Sequence, residues 1–186
     1  MMRSVIAIEG PDRFGKTLLA RLLSQELGYT YIKFPNENIE SGKELRRIIN
    51  GDVLHDPSKI MNWVSSYQNL QNRNKLETLE GLPGGKYIFD RYKLSEIVYG
   101  KASGISCEKV EELADNLPDP DITILITGRP YGRDRDIFST DEYQQRVKHL
   151  YKIEGKNLSG RVIWLCNYSS PENMLDNVLS ELKGVV

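Results

Sequence analysis

The sequence predicts an α/β fold, a doubly wound three-layer sandwich in which helices cover both faces of a five-stranded parallel sheet. Three observations lead to this prediction. Five short apolar runs alternate with helical stretches along the 186 residues, the first run leads directly into a glycine-rich loop, and an apolar helical stretch follows that loop. Ligands of such sheets bind at the carboxyl ends of the strands, so functional residues are expected in the loops at that edge.

The glycine-rich loop has the pattern G-x-x-x-x-G-K-T, which is typical of a phosphate-binding P-loop. Gly10 and Gly15 let the backbone turn so that its N–H groups face an anion, and the positive end of the following helix adds to the attraction. Lys16 can reach the β- and γ-phosphates of a nucleotide, and the Thr17 hydroxyl can take a Mg²⁺ position. The loop therefore predicts a site for a nucleoside triphosphate.

Apolar runs, turn residues and helical periodicity place the other elements. Strands are expected near residues 5–8, 29–34, 86–90, 122–126 and 161–165. Helices are expected near residues 15–27, 45–50, 56–81, 92–99, 106–116, 140–153 and 171–182. Pro35 stops the second strand, and Ser169 or Ser170 caps the last helix.

The long third helix is expected to begin near Asp56-Pro57-Ser58, since proline is favoured in the first turn. Its core face is expected at Ile60, Val64 and Tyr67. Ser66, Asn69 and Arg73 fall at helical spacing on another side, where three polar groups can project together. This polar side is either a pocket wall or an ordinary solvated face.

The third strand ends in Asp90-Arg91-Tyr92. A carboxylate at the carboxyl end of such a strand points into the ligand crevice, although Asp90 can also cap the following helix. A second cationic stretch, residues 129–139, follows the fourth strand and carries Arg129, Arg133 and Arg135. It is expected to be a short arginine-rich lid over phosphates, with a solvated charge run as the alternative.

Composition sets the remaining limits. A net charge of −1 gives no bulk attraction to nucleic acid or membranes, and neither is expected as a partner. Cys107 and Cys166 have no disulfide or metal-site spacing, which is typical of a reducing compartment. No apolar run approaches the length of a membrane span. We therefore expect residues 1–186 to form a single cytoplasmic domain.

A triphosphate site combined with many arginines favours phosphoryl transfer, which needs positioning and charge neutralisation more than a nucleophile. Candidate cations are Lys16, Arg13, Arg91, Arg73 and the lid arginines. A phosphate acceptor is already anionic and needs no general base. A hydroxyl acceptor would instead need a positioned carboxylate.

Several motifs in order give the chain a resemblance to the thymidylate kinases over most of its length. They are Glu9-Gly10-x-Asp12-x-x-Gly15-Lys16-Thr17, Phe34-Pro35 with Gly42-Lys43-x-Leu45, Asn72-Arg73, Asp90-Arg91-Tyr92-x-x-Ser95-x-x-x-Tyr99, Leu117-Pro118-x-Pro120-Asp121 and Tyr143-Gln144-x-Arg146. The resemblance implies a P-loop kinase fold, ATP and Mg²⁺ as cofactors, dTMP as acceptor and a homodimer.

The resemblance also implies roles for individual residues. Catalytic roles fall to Lys16, Arg13, Asp90 and Arg91, and Mg²⁺ binding falls to Thr17 and Asp90. ATP binding is implied for Gly10, Arg13, Phe14, Gly15, Lys16, Thr17, Arg129, Arg133 and Arg135. Acceptor binding is implied for Asp12, Phe34, Asn69, Arg73, Arg91, Ser95, Tyr99 and Phe138. Among these, Asp12 would bind the sugar hydroxyl, Arg91 the acceptor phosphate and Arg73 a base carbonyl.

Three departures from the family pattern accompany these matches. Asn69 stands four positions before Arg73, where the family has an aromatic residue that stacks on thymine. Glu37 stands where many members have a phosphate-binding arginine. The lid pattern of Asp, Arg, aromatic and Glu reads Asp136-Ile137-Phe138-Ser139. Base preference is therefore less strongly predicted than the type of reaction.

Three alternatives stay open at the level of sequence. A deoxynucleoside kinase would need a carboxylate after the second strand, where Glu37 is the nearby candidate. A relative that acts on another or modified nucleotide is favoured by Asn69. A non-catalytic or GTPase-like switch is suggested by Asn74-Lys75-Leu76-Glu77, which resembles a guanine-reading motif but lies inside a helix rather than after a strand.

Overall fold

The computed structural model describes residues 3–50, 60–131 and 141–184, with residues 60–63 described by their backbone alone. The predicted helix start at Asp56-Pro57-Ser58 lies outside the described residues. Most of the expected lid, with Arg133, Arg135 and Phe138, lies outside them as well.

The described part of the chain alternates strands and helices as the sequence predicts. Its strands are β1 (Arg3–Glu9), β2 (Thr30–Lys33), β3 (Gly85–Asp90), β4 (Ile122–Thr127) and β5 (Arg161–Cys166). Its helices are α1 (Lys16–Leu27), α2 (Glu40–Ile49), α3 (Ile60–Gly81), α4 (Lys93–Ala102), α5 (Cys107–Asp115), α6 (Asp141–Glu154) and α7 (Pro171–Leu182). The backbone N–H of Asn173 donates to the Ser170 hydroxyl, so the predicted cap of α7 is confirmed.

The strands form one parallel sheet in the order β2-β3-β1-β4-β5, which confirms the predicted fold class. β1 lies at the centre. Asp90 at the end of β3 is in register with Ile8 of β1 on one side and with Lys33 of β2 on the other. The carboxyl ends of β1, β2 and β3 therefore meet at one edge of the sheet, where the P-loop begins.

Alternating side chains of β1 supply both hydrophobic layers, as the two-residue period of a strand requires. Ile6 and Ile8 pack with α1 and α7 on one face. Val5 and Ala7 belong to the cluster on the other face, together with Leu79 of α3. Because the inner strands β1, β3 and β4 are buried along most of their length on both faces, they hold the loops at their carboxyl ends on a rigid support.

Candidate active site

The loop between β1 and α1 adopts a backbone conformation at two positions that strongly favours glycine. Gly10 has φ 141°, and a Cβ there would lie 2.6 Å from the carbonyl oxygen of Ile126. Gly15 has φ 89° and occupies the N-cap of α1. No Cβ atom at these two positions blocks access to the loop backbone near the start of the helix. Such access is required when backbone N–H groups bind an anion.

Lys16 is 5% exposed, and its ammonium donates a 2.5 Å hydrogen bond to the carbonyl of Pro11. Burial lowers the pKa of Lys16 to about 7, and the nearby charge of Arg91 acts in the same direction. The carboxylates of Asp12, Asp90 and Glu9 oppose this shift. A phosphate beside Lys16 would favour the charged ammonium again, so the site is suited to an anion.

Thr17 and Asp90 place two oxygen atoms beside the P-loop. The Thr17 hydroxyl donates to Asp90 Oδ2 at 2.5 Å, and the Tyr31 hydroxyl donates to the same oxygen at 3.1 Å. Among the described residues, no group of three or more His, Cys, Asp or Glu side chains could hold a metal ion. One carboxylate and one hydroxyl suit Mg²⁺ when nucleotide phosphates and water complete the shell, so these residues fit the ion.

Two cavities meet at this edge of the sheet. The P-loop cavity, about 330 Å³, is lined by the loop, Thr17 and Asp90. The adjacent cavity, about 300 Å³, lies between α3, α4 and the segment after β2. Asp12, Lys33 and Arg91 line both cavities. These three residues therefore stand at the boundary across which a group could pass from one cavity to the other.

Asp12 and Arg91 form an ion pair at this boundary, 79 residues apart in the chain. The Tyr99 hydroxyl donates to the other carboxylate oxygen of Asp12 at 2.5 Å, and the Arg91 guanidinium lies over the Tyr99 ring. Burial by itself would raise the pKa of Asp12, but the charges of Arg91 and Lys16 and the Tyr99 hydrogen bond lower it to about 2. Asp12 is therefore an anion at every physiological pH.

One guanidinium nitrogen of Arg91 has no hydrogen-bond partner among the described residues. Its backbone has φ 68°, a left-handed turn that its N–H supports by donating to the carbonyl of Ile8 at 3.0 Å. Its Nη2 donates to Asp12, whereas Nη1 is buried and has no hydrogen-bond partner within the part of the chain that the structure describes. A buried guanidinium nitrogen without a partner fits a site that receives an anion from a ligand.

Glu9 links the P-loop strand to the α4 side of the site. Fully buried at the end of β1, it accepts hydrogen bonds from the backbone N–H groups of Tyr92 and Ser95 and from the Ser95 hydroxyl at 2.5 Å. Burial raises the pKa of Glu9, while the Ser95 hydrogen bonds oppose the shift. Ser95 lines the adjacent cavity, but its hydroxyl donates its hydrogen bond to Glu9 Oε2.

The structure does not bring Asn69 and Arg73 of α3 into the lining of the adjacent cavity, and their roles in acceptor binding stay predictions. Asn69 is exposed, and neither residue lines the adjacent cavity. The Arg73 side chain is 64% exposed and donates from Nε to Glu77 at 2.7 Å, one turn further along the same helix. The physical reason is the phase of the helix, because the side that carries Ser66, Asn69 and Arg73 faces solvent.

The cavity side of α3 instead presents Tyr67, Gln68, Gln71 and Lys75. The sequence contains the signal for this arrangement, because Gln71 and Lys75 continue the core face that begins with Val64 and Tyr67 at helical spacing. Sequence reasoning followed the Asn72-Arg73 motif and missed them. Lys33 was missed for a different reason: no motif marks the end of an edge strand.

Phe34 lies in the wall of the adjacent cavity, 2% exposed, with its ring 5.3 Å from that of Phe89. The Phe14 side chain is also 2% exposed but packs in the core between the sheet and α1. Phe14 also lines a third cavity, about 560 Å³, together with Pro11 and Gly128, so its role in ATP binding stays a prediction.

Arg129 lies beside the P-loop, held by residues that the sequence did not single out. Its backbone N–H donates to Asn167 Oδ1 at 2.9 Å, and its guanidinium packs over the Tyr168 ring. Asn167 also donates to the carbonyls of Phe14 and Arg129, and is 4% exposed. One buried amide thus ties the loop after β4 to the P-loop.

Glu37, the carboxylate that a nucleoside kinase would need, is not in either cavity lining. It accepts hydrogen bonds from Arg46 at 2.8 and 2.5 Å. The guanine-like motif at 74–77 is likewise engaged in the interior of α3, where Asn74 bonds to Asn36 and Ser41. Neither alternative is favoured by these contacts.

A parallel sheet of this order, a P-loop at its centre and a second cavity next to the loop define a P-loop kinase. The family model described as thymidylate kinase matches residues 8–172. The chain belongs to the thymidylate kinase family, as the motifs in the sequence predicted.

Named relatives agree with this assignment. The chain is 27% identical over 157 residues to a probable thymidylate kinase of Methanococcus maripaludis, which covers 81% of this chain and 76% of that protein. It is 28% identical over 169 residues to the thymidylate kinase of Schizosaccharomyces pombe, with the same two coverages.

Two solved structures show the same fold. Thymidylate kinase from Candida albicans superposes with a TM-score of 0.78 at 20% identity, covering 98% of this chain and 92% of that chain. Thymidylate kinase from Ehrlichia chaffeensis superposes with a TM-score of 0.75 at 19% identity, covering 98% of this chain and 100% of that chain.

Among the helices of the described residues, none combines the length and the apolar character that a membrane span needs.

Proposed function

We propose that the chain transfers the γ-phosphoryl group of ATP to a deoxynucleoside monophosphate, with dTMP as acceptor, giving ADP and dTDP. One observation carries this proposal: the P-loop cavity and the adjacent cavity share Asp12, Lys33 and Arg91, and Arg91 Nη1 is buried without a partner among the described residues. A cation at the boundary of two nucleotide-sized sites is what phosphoryl transfer between them requires.

On the donor side, the backbone N–H groups of the loop and Lys16 hold the phosphates of ATP. Thr17 and Asp90 hold Mg²⁺, which neutralises charge on the phosphate oxygens when bound. Arg13 extends from a left-handed position in the loop, φ 65°, and supplies a second positive charge to the phosphoryl group in transit. Arg129, packed on Tyr168, flanks the donor nucleotide.

On the acceptor side, Arg91 binds the acceptor phosphate through Nη1 while Nη2 keeps its bond to Asp12. Asp12 accepts a hydrogen bond from the sugar hydroxyl, with Tyr99 and Phe34 as the walls of the pocket. No general base is needed, because the acceptor phosphate is already an anion near neutral pH. The protein contributes alignment and charge neutralisation rather than proton transfer.

A coupled ADP-release assay with common nucleoside and deoxynucleoside monophosphates tests this function. We expect turnover of dTMP with ATP and Mg²⁺, and loss of turnover in Lys16→Ala with the fold retained. Absence of turnover on every acceptor would overturn the proposal. Turnover of thymidine without turnover of dTMP would identify a nucleoside kinase instead.

Two further properties implied by the family resemblance are part of the proposal. We infer a homodimer and a cytoplasmic location. Sedimentation velocity at micromolar concentration tests the first, and microscopy of a fluorescent fusion in the source cell tests the second.

A further inference from the structure

The side-chain amide of Asn167 connects three segments at the carboxyl edge of the sheet. Asn167 follows β5, is 4% exposed, and donates from Nδ2 to the carbonyls of Phe14 at 3.3 Å and Arg129 at 2.7 Å. Its Oδ1 accepts from the backbone N–H of Arg129 at 2.9 Å. Gly128 permits this close approach, because a Cβ there would overlap Oδ1. Both polar atoms of the buried side chain have partners, which fixes its position.

A second set of contacts joins the same segments through Tyr131. Its backbone N–H donates to the carbonyl of Arg13 at 2.8 Å, and its hydroxyl donates to the backbone carbonyl of Asn167 at 2.9 Å. Arg13 has φ 65°, a left-handed conformation that costs free energy for a residue with a Cβ and persists where neighbouring contacts support it. Tyr131 supplies such a contact to Arg13, and Asn167 in turn holds Tyr131.

These hydrogen bonds fix two successive peptide groups of the P-loop. A trans peptide is planar, and its N–H points opposite to its C=O. The carbonyl of Arg13 shares a trans peptide with the N–H of Phe14, and the carbonyl of Phe14 shares one with the N–H of Gly15. Because both carbonyls are bound to Tyr131 and Asn167, both N–H groups point away from those two residues. Backbone N–H groups of a P-loop are the groups that bind nucleotide phosphates.

The partners of Asn167 all belong to the donor side of the site. Among the described residues they are Phe14, Thr127, Arg129 and Tyr131, and none of these lines the adjacent cavity. Asn167 itself lines neither that cavity nor the P-loop cavity. It can therefore influence a ligand only through the segments that it holds.

We propose that Asn167 is a positioning residue for the donor nucleotide, which orients the phosphate-binding N–H groups of the P-loop through its contacts with Phe14 and Tyr131. This inference rests on the proposed function, in which the P-loop binds the phosphates of ATP. Acceptor binding depends on it far less, because Asp12 and Arg91 hold each other without Asn167.

The variant Asn167→Asp tests the role of the amide donors. It keeps the size of the side chain and an acceptor for the Arg129 N–H, but a carboxylate oxygen cannot donate to the carbonyls of Phe14 and Arg129. We expect the dissociation constants of ATP and of tripolyphosphate, which has no base or sugar, to rise about 10- to 100-fold. The dissociation constant of dTMP should change far less. Titration calorimetry measures all three.

Asn72→Asp is the matched control. Asn72 is 3% exposed and donates from Nδ2 to the carbonyl of Leu113 at 2.7 Å, between α3 and α5. The same substitution there also places a carboxylate against a buried carbonyl, so it should lower the thermal unfolding midpoint in a similar way. It should leave the affinity for ATP unchanged.

Wild-type protein provides a test that needs no variant. By linkage, a ligand that stabilises the P-loop arrangement held by Asn167 also stabilises the contacts of Asn167. Tripolyphosphate should therefore slow hydrogen exchange of the Arg129 N–H, which is bonded to Asn167 Oδ1, whereas dTMP should not. Exchange followed by NMR measures this amide directly.

A folded Asn167→Asp variant with wild-type affinity for ATP would overturn the proposal, as would equal losses of affinity for ATP and dTMP. Equal losses of ATP affinity in Asn72→Asp and Asn167→Asp would attribute the effect to stability alone. Unchanged exchange at Arg129 with tripolyphosphate bound would overturn the proposal even if Asn167→Asp does not fold. Because binding is measured directly, protein that needs Asn167 to bind ATP but turns over no acceptor would refute the proposed function and support this inference.

Discussion

The hydroxyl of Thr17 and the carboxylate of Asp90 lie 2.5 Å apart, although 73 residues separate them in the chain. The contact joins the first turn of α1 to the end of β3. Neighbouring strands in a parallel sheet end at the same edge, which brings the two motifs together. The pair is the part of the site that most directly defines where a divalent cation can bind.

Replacing Asp90 with Asn removes the charge and keeps the shape. We expect kcat to fall by about 100- to 1,000-fold, the range for loss of one electrostatic group at the reacting centre, and the Mg²⁺ requirement to rise. Steady-state assays over a Mg²⁺ titration measure both effects. Asp115→Asn, an exposed carboxylate in α5, is the control. An unchanged Mg²⁺ profile in Asp90→Asn would remove Asp90 from the proposed metal site.

Binding of ATP is expected to take up protons. Burial and Arg91 lower the pKa of Lys16 to about 7, so at pH 8 the ammonium is mostly neutral in the unliganded protein. The phosphates favour the charged form and raise that pKa again. Affinity for ATP should therefore fall as pH rises above 7. Calorimetry at pH 8 in two buffers of different ionisation enthalpy measures the uptake, and identical heats in both buffers would contradict it.

Lys33 is a further cation that the reaction is expected to use. It is exposed at the end of β2, lines both cavities and makes no ion pair with any of the described residues. Lys33→Met should lower kcat by about 10- to 100-fold, a smaller effect than loss of a buried group. Lys33→Arg should retain most activity. Lys86→Met, at the opposite end of the neighbouring strand, is the control, and equal activities in the two Met variants would exclude a role for Lys33.

Substitutions on the solvent side of α3 should have little effect. Arg73→Ala removes an exposed ion pair with Glu77, and such pairs contribute about 0–1 kcal/mol. Asn69→Phe adds a ring outside the cavity and should not change the affinity for dTMP. Titration calorimetry with dTMP measures both variants. A tenfold change in either dissociation constant would show that α3 turns its other side toward the acceptor.

These contrasts show what the sequence could and could not predict. The P-loop, the Asp90-Arg91 turn and the sheet were predictable because each depends on local spacing or on the alternation of strands and helices. The residues that line the adjacent cavity were harder to predict. Helical spacing groups Asn69 with Arg73 and Gln71 with Lys75, but the tertiary packing of α3 on α4 decides which group faces the cavity.

Gly42 is expected to shape the acceptor side through packing. A Cβ there would lie 1.8 Å from the carbonyl oxygen of Asn36, so the segment after β2 would have to move away from α2. Gly42→Ala should lower the free energy of unfolding by about 1–3 kcal/mol, as overpacking does.

The matched control is Gly81→Ala at the end of α3, where a Cβ meets nothing within 4 Å. This variant should be neutral or stabilising by up to about 1 kcal/mol. Urea unfolding followed by circular dichroism compares the two variants. Equal stability would indicate that the close approach of Gly42 to Asn36 is easily relieved.

Glu9 connects the elements that carry the two cavities. Its backbone ends the strand that enters the P-loop, and its carboxylate accepts hydrogen bonds from Tyr92 and Ser95 at the start of α4. The start of α4 is therefore connected to the strand that enters the P-loop by the hydrogen bonds of one side chain. A misplacement of about 1 Å can lower the rate about 100-fold. We therefore expect the Glu9 carboxylate to fix the distance between the donor and acceptor phosphates.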